Sequence, residues 1–244
     1  MGRLPRHVVT ERPHVWITGA SRGIGLAAAQ ELSASCKLTL SGRNEAALRE
    51  VEHLLTADSS VVVPVDVADR RSVQHAYAAA IARFGPVDIL INNAGIGIFK
   101  PFVELQPDEF DDQIDINLRG TFHCTQAVLP SMIQRRRGMI ISINSVSVKR
   151  AFTASSAYAA SKAGVHAMMA SIREEVRSSN VKVIELFVGA TDTDIWPDAA
   201  RDEHGHRMMT AYDIAGVVGD LVRHLDHPRM LQEEIIIRPQ LGDL

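Results

Sequence analysis

The sequence predicts an α/β fold in which a mostly parallel, seven-stranded sheet is covered by helices on both faces. Short β-branched runs alternate with longer amphipathic segments almost from end to end, which is the order of strand and helix in a doubly wound sheet. The strand candidates are continuous apolar runs rather than alternating ones, as strands covered on both faces require. The composition, with 46% hydrophobic and 23% charged residues, is typical of a globular protein.

The individual elements follow from this alternation. The strands are expected at 14–18, 37–41, 61–65, 87–91, 139–143, 181–187 and 234–238. The helices are expected at 23–35, 44–55, 69–84, 107–134, 155–178 and 211–225. We interpret 1–13 as an N-terminal extension and 14–244 as one domain, because no linker, repeat or composition break divides it. The polar stretch 189–210 has no periodicity and is predicted to be an irregular loop at the substrate site.

Charge and cysteine content narrow the class of protein. Lys and Arg total 26 against 29 Asp and Glu, a net charge of −3 that argues against a nucleic-acid partner. Cys36 and Cys124 are too few for a disulfide framework, so we expect a cytoplasmic protein. No apolar run approaches the ~20 residues that cross a bilayer, so no membrane partner is expected. The ten histidines form no HExxH pattern, and we expect no metal site.

A glycine-rich segment follows the first predicted strand. Residues 18–25 have the sequence TGASRGIG and open the first predicted helix. Glycines at such a turn let the backbone approach a pyrophosphate, which the N–H groups at the helix start attract. The spacing is GxxxGxG rather than the common GxGxxG, and a turn without a ligand is the alternative. The position in the first βαβ unit favours a Rossmann-type dinucleotide-binding domain.

The residues after the second strand indicate which dinucleotide is preferred. An NAD site usually has an Asp or Glu there to hold the ribose 2′-hydroxyl, and residues 41–44, SGRN, contain no acid. Arg43 and Arg22 are instead placed to flank a 2′-phosphate, at ~1.5–3 kcal/mol for each charge-assisted hydrogen bond. The alternative is that Arg43 is only a solvated residue at a helix start. We therefore predict NADP.

Three side chains suggest proton transfer to a carbonyl. Tyr158 and Lys162 are four residues apart and share one helix face, where an ammonium can stabilise a phenolate. Ser145 follows the predicted strand 139–143 and so lies at the carboxyl edge of the sheet, where ligands bind. A hydroxyl there can donate to a developing oxyanion. Alone, the Tyr–Lys pair is more often a surface pair, and the serine is equally consistent with a helix cap.

Together these motifs resemble those of the classical short-chain dehydrogenase/reductase family, over 14–238. The motifs that carry the resemblance are TGASRGIG at 18–25, NNAG at 92–95, Asn117, Ser145 and YAASK at 158–162. The resemblance implies that Tyr158 is the general acid or base and that Ser145 polarises the carbonyl. It implies that Lys162 lowers the pKa of the tyrosine and binds the nicotinamide ribose, while Asn117 holds a water of the proton relay.

The resemblance also implies a set of cofactor contacts. Asp66 and Val67 match the pair at the adenine, and Thr193 matches a contact to the nicotinamide carboxamide. The remaining matches are Gly19, Ser21, Arg22, Gly23, Ile24, Gly25, Arg43, Asn93, Ala94 and Gly95, with Tyr158 and Lys162 at the nicotinamide ribose. The family usually has Pro-Gly after the sixth strand, where this chain has Val188 and Gly189, so a looser turn is expected there.

The expected function is hydride transfer between NADP(H) and a carbonyl or secondary alcohol. The expected substrate is a small or medium ketone or a 3-oxoacyl group, and a steroid-like ring is also compatible. The walls of the substrate pocket are expected at 96–99, 146–147, 152, 188 and 193–210. A non-catalytic dinucleotide-binding regulator and an epimerase or dehydratase with tightly held cofactor are the alternatives. By analogy with the family, the helices 107–134 and 155–178 pair across subunits, which predicts a homodimer or homotetramer.

Overall fold

A computed structural model describes residues 12–242. Most of the predicted N-terminal extension, 1–11, lies outside the described residues. The strands of the sheet are β1 (His14–Thr18), β2 (Lys37–Ser41), β3 (Ser60–Val62), β4 (Ile89–Asn92), β5 (Gly138–Ser145), β6 (Val181–Val188) and β7 (Glu234–Ile237). The helices are α1 (Gly23–Leu32), α2 (Glu45–His53), α3 (Arg70–Phe84), α4 (Pro107–Gln113), α5 (Gly120–Arg135), α6 (Ser156–Val176), α7 (Asp198–His204) and α8 (Ala211–Val222).

The seven strands form one sheet in the order β3-β2-β1-β4-β5-β6-β7, and every strand pair is parallel. This confirms the predicted doubly wound, Rossmann-type fold. The chain moves outward in one direction from β1 to β3 and then in the other from β4 to β7. The connections that leave the carboxyl ends of the neighbouring strands β1 and β4 therefore run in opposite directions, which leaves a crevice at that edge of the sheet.

The core consists of two apolar layers, one on each face of the sheet. Successive residues of β1 point to opposite faces, so Val15 and Ile17 pack in the layer under α1, α2 and α8, whereas Trp16 packs in the layer with α3, α5 and α6. Burial on both faces explains why the strands are continuous apolar runs. It also makes the polar exceptions in β5 and β6 conspicuous.

The predicted helix 107–134 is wrong as a single element. The chain forms α4, then a π-helical turn at Ile114–Arg119, and only then α5. Asn117 lies in the wide turn, where its amide is hydrogen-bonded to the backbone of Ile96 on another segment. Hydrophobic periodicity indicates that a segment is helical, but it does not specify whether a given turn has α or π hydrogen bonds.

The prediction that the stretch 189–210 is irregular throughout is also wrong. It contains α7 and a 3-10 turn at Gly205–Arg207, and Thr191 forms a parallel bridge with Met209. The carboxylates of Asp192 and Asp194 pair with Arg201, at 2.7 and 3.2 Å. These ion pairs stabilise a short helix whose exposed residues show no apolar periodicity.

Candidate active site

The segment between β1 and α1 forms one end of the crevice. Gly19 has φ +65°, and a Cβ atom there would lie 2.9 Å from the Cα atom of Ala94, so the close approach requires glycine. Arg22 precedes α1 without a side-chain hydrogen bond to the helix, and the first turn contains no acidic residue. The N–H groups and the positive end of α1 are therefore available to an anion.

Asn93 holds this segment against the end of β4. Its side-chain amide donates to the carbonyl oxygens of Thr18 and Gly19, both at 3.0 Å. In return, the Thr18 hydroxyl accepts the N–H groups of Asn93 and Ala94, both at 3.1 Å. The NNAG motif thus fixes the shape of the glycine-rich turn through four hydrogen bonds.

The two arginines predicted at a 2′-phosphate both line the crevice. Arg43 is exposed, and within 12–242 no hydrogen bond or ion pair of its side chain is found. Arg22 is paired instead with Asp194, with Nη1 3.2 Å from Oδ2. Arg22 therefore connects the phosphate loop to the segment that follows β6. Both side chains are mostly solvent-exposed, so this ion pair is weak.

Asp66 and Val67 lie beyond β3, at the same edge. The Asp66 carboxylate accepts the N–H of Ala68 at 3.0 Å, which leaves its side chain close to the backbone. Val67 is buried against Gly120 at the start of α5. Thr193 approaches from the opposite side, because a Cβ on Gly23 would lie 3.2 Å from its methyl group. All three line the crevice.

Ser145, Tyr158 and Lys162 meet at the other end of the crevice. Ser145 ends β5, where its Oγ accepts the Ser147 N–H at 3.1 Å and is hydrogen-bonded to the Tyr158 phenol. The Lys162 ammonium donates to the Ile143 carbonyl oxygen at 2.9 Å and lies 5.8 Å from the centre of the tyrosine ring. The i, i+4 spacing on α6 and the end of β5 thus produce the predicted juxtaposition.

Burial sets the protonation of this cluster. It raises the pKa of Tyr158, and the hydrogen bond from Ser145 offsets part of that rise by stabilising the phenolate. It lowers the pKa of Lys162 to about 8, because the charged ammonium loses solvent. The Tyr158 phenol is therefore protonated at neutral pH, and the Lys162 ammonium loses its proton about one pH unit above neutrality.

Asn117 is buried one layer behind these groups. Its Oδ1 accepts the Ile96 N–H at 2.8 Å, and its Nδ2 donates to the Ile96 carbonyl oxygen at 2.9 Å and to the Ser161 hydroxyl at 3.0 Å. A Cβ on Gly95 would lie 3.1 Å from Oδ1 of Asn117 and 3.7 Å from the Lys162 ammonium. Because residue 95 is glycine, the turn that follows β4 can lie close to both side chains.

One crevice of about 660 Å³ brings most of the predicted site residues together. Gly25 and Asn117 are the exceptions, since neither lines it; Gly25 packs against the Gly19 carbonyl and Asn117 lies behind Ile96. The predicted wall 193–210 contributes only its first four residues, Thr193–Trp196, while the others lie outside the lining. At Gly189 the N–H donates to the Ile237 carbonyl at 2.8 Å, which connects this turn to β7 without a proline.

Sequence reasoning missed a buried polar cluster beneath this site. Glu185, in the middle of β6, contacts Asn144, His166 and Arg173. A carboxylate inside an otherwise apolar strand was the available signal. His166, Glu185 and Glu234 also place ligand atoms within 4.8 Å of one another, but the Glu185 oxygens are already used by these three contacts. The cluster is an ion-pair network.

A family model described as short chain dehydrogenase matches residues 13–204.

The chain belongs to the short-chain dehydrogenase family.

This short-chain dehydrogenase is 35% identical over 233 residues to an uncharacterized oxidoreductase of Staphylococcus aureus strain MW2, which covers 95% of this chain and 99% of that protein. Its fold matches an alcohol dehydrogenase from the archaeon Thermococcus sibiricus complexed with 5-hydroxy-NADP, with TM-score 0.85, 27% identity and coverage of 96% and 99%. A metagenomic short-chain oxidoreductase in complex with NADP matches with TM-score 0.81, 31% identity and coverage of 95% and 99%. Among residues 12–242, no helix is long and apolar enough to span a membrane.

Proposed function

We propose that this short-chain dehydrogenase is an NADP(H)-dependent oxidoreductase that interconverts a carbonyl compound and a secondary alcohol. The observation that carries the proposal is that Ser145, Tyr158 and Lys162 share one crevice with the glycine-rich turn of β1–α1. A carbonyl oxygen placed between the serine and tyrosine hydroxyls would lie at the same edge of the sheet as the glycine-rich turn, which we propose binds the dinucleotide. The relatives that are bound to NADP and its 5-hydroxy derivative support the same cofactor here.

The residues of the crevice fit a dinucleotide. The turn needs glycine at Gly19 and Gly23, because both residues have positive φ and a Cβ there would lie 2.9 Å from Ala94 and 3.2 Å from Thr193. Such a turn lets the backbone approach a pyrophosphate closely. The uncapped start of α1 supplies N–H groups for the phosphates. When bound, the nicotinamide supplies or accepts the hydride of the reaction.

The preference for NADP is assigned to Arg43 and Arg22. Both guanidinium groups line the crevice, and no acidic residue occupies 41–44 to hold a ribose diol instead. Arg43 is available to a 2′-phosphate, whereas at Arg22 the phosphate must compete with the Asp194 carboxylate for the guanidinium. We therefore expect Arg43 to contribute more to the discrimination.

Tyr158 is assigned the proton transfer. Because burial raises its pKa, the phenol carries a proton at neutral pH and can give it to the carbonyl oxygen during reduction. The Ser145 hydroxyl, which already bonds the phenol, stabilises the developing charge on the same oxygen. In the oxidative direction the tyrosine takes the proton from the alcohol.

Lys162 and Asn117 are assigned supporting roles. The buried ammonium lies beside the tyrosine ring and stabilises the phenolate left after proton donation. Asn117 fixes the Ile96 backbone and the Ser161 hydroxyl, and so holds the β4 turn against α6. We propose that it thereby sets the distance between the substrate side of the crevice and the lysine.

Replacing Tyr158 by phenylalanine tests the proposal. General acid–base catalysis contributes about 10²- to 10⁴-fold, so kcat for ketone reduction should fall by at least about a hundredfold, measured by NADPH absorbance. Tyr212→Phe is the matched control, because it removes a phenol hydroxyl from an exposed tyrosine bonded to Gln30. Unchanged turnover in Tyr158→Phe would contradict the assigned role. Product formed without stoichiometric NADPH consumption would favour an epimerase.

A further inference from the structure

The substrate end of the crevice carries three aromatic rings in contact. Phe99, in the loop after β4, stacks on Trp196 with ring centres 5.7 Å apart and planes inclined by 17°. The Phe99 ring also makes an edge-to-face contact with the Tyr158 ring, with ring centres 5.3 Å apart and planes inclined by 62°. All three rings line the crevice and are half-buried. An apolar surface thus extends from the candidate proton donor to the segment after β6.

Close packing fixes the ring in the middle of this surface. A Cβ at Gly97 would lie 2.7 Å from the Phe99 ring and 3.1 Å from Ile195, so the backbone of the loop approaches both side chains. The backbone N–H of Trp196 donates to the Thr193 carbonyl oxygen at 3.1 Å, which fixes the main chain that carries the indole. The neighbouring Asp194 forms solvent-exposed ion pairs with Arg22 and Arg201. Preorganised rings lose little conformational entropy when a ligand packs on them.

Within the described lining, the charged side chains at this end of the crevice are already bonded to other protein groups. Apart from Lys162, whose ammonium donates to the Ile143 carbonyl, the charged residues of the lining are Arg22, Arg43, Asp66 and Asp194. The first three belong to the dinucleotide end. Both Asp194 oxygens are occupied by arginines, so this carboxylate is not free to bind a cation. A carboxylate on a substrate near Trp196 would lose its hydration and would have to compete with Asp194 for Arg22 and Arg201.

From these observations we propose that Trp196 and Phe99 form an aryl-binding subsite, and that the preferred substrates are uncharged ketones with an aromatic ring next to the carbonyl. The inference rests on the function proposed above, since the carbonyl oxygen must reach Ser145 and Tyr158. Aromatic rings favour offset-stacked or edge-to-face contacts with other rings, beyond the gain from burying apolar area. A saturated ring of the same size fills the space but lacks that preference.

The test uses three ketones of matched shape with NADPH. Acetophenone carries the aryl group, cyclohexyl methyl ketone replaces it by a saturated ring, and 4-acetylbenzoate adds a carboxylate. We expect kcat/KM to decrease in that order for the wild type. In Trp196→Leu, the ratio of kcat/KM for acetophenone to that for the cyclohexyl ketone should fall roughly three- to tenfold, chiefly through KM. Phe102→Leu is the matched control, because Phe102 is 77% exposed and does not line the crevice.

The outcomes separate the two proposals. Equal or better turnover of the saturated or the charged ketone, with the Tyr158→Phe variant inactive, would overturn the aryl subsite and leave the oxidoreductase assignment standing. An unchanged selectivity ratio in Trp196→Leu would do the same. Failure of the wild type to oxidise NADPH with any of the three ketones would contradict both. Binding has a separate readout, since 1-phenylethanol should perturb tryptophan fluorescence in the wild type and not in Trp196→Leu.

Discussion

Glu185 is fully buried in β6, and its replacement by alanine should destabilise the protein severely. Its Oε1 accepts the Asn144 amide at 2.8 Å, and its Oε2 contacts Nδ1 of His166 at 3.0 Å and Nη2 of Arg173 at 3.3 Å. The Arg173 side chain is only 5% exposed, and its Nη1 also lies 3.9 Å from Oε2 of the partly exposed Glu233. Glu185→Ala therefore leaves a buried guanidinium that has lost its buried carboxylate and keeps the longer contact to Glu233.

The magnitude follows from the burial of this pair. Removing one partner of a buried ion pair costs about 3–5 kcal/mol, because the remaining charge stays desolvated. Arg173 keeps two backbone acceptors, the carbonyl oxygens of Val183 and Glu233 at 2.9 and 3.1 Å, which places the expected cost toward the lower end. For a chain of this size each kcal/mol shifts Tm by roughly 2–4 °C, so we expect a decrease of roughly 6–12 °C.

Thermal unfolding at a fixed protein concentration, followed by circular dichroism, measures this shift. Glu52→Gln is the control, since Glu52 belongs to an ion pair with Arg49 on the exposed face of α2 and its loss should leave Tm nearly unchanged. The double variant Glu185→Leu/Arg173→Met removes both charges and should recover most of the lost stability, because an apolar pair of similar volume replaces the ion pair.

Two results would refute this reasoning. A Glu185→Ala protein with wild-type Tm would show that the loss of the Glu185 carboxylate does not leave an uncompensated buried charge on Arg173. A double variant as unstable as the single one would show that the hydrogen bonds to Asn144 and His166, rather than the uncompensated charge, dominate the cost.

The remaining predictions concern the cofactor and pH. Arg43→Ala should weaken NADPH binding roughly ten- to a hundredfold with little effect on NADH, measured by fluorescence titration. Arg49→Ala, in the helix α2 that follows Arg43, should change neither, and equal losses for both cofactors in Arg43→Ala would contradict the 2′-phosphate contact. Gly19→Ala should abolish measurable cofactor binding because of its positive φ and the 2.9 Å approach to Ala94, while Gly216→Ala, with open space around it, should bind normally. For ketone reduction, kcat/KM should be level at neutral pH and fall above about pH 8, as the Lys162 ammonium loses its proton, and Lys162→Met should remove that limb of the profile.

Much of the fold was predictable because its signals are local. The strand runs, the glycine turn and the i, i+4 spacing of Tyr158 and Lys162 each depend on residues close together in the sequence. The strand order then places the ends of β1, β4 and β5 at one edge, so Ser145 could be assigned to the same crevice. The boundaries were less accurate, as the three-residue β3 shows against a predicted strand at 61–65.

The parts that could not be predicted depend on contacts between distant segments. Arg22 pairs with Asp194 across 172 positions of the chain, and Asn117 interrupts a helix because it bonds the backbone of Ile96. The stacking of Phe99 on Trp196 joins the loop after β4 to the segment after β6. No periodicity or motif encodes which of several compatible partners a side chain finds.

The sequence by itself therefore determined the sheet, the glycine-rich turn and the candidate proton-transfer residues, since these follow from backbone geometry and short-range spacing. Only the tertiary structure decided how Glu185 is neutralised, which arginine is left available near the phosphate loop and what surface the substrate meets. The physical reason is that packing, desolvation and ion pairing are set by the three-dimensional neighbours of a side chain, which the linear order of residues does not specify.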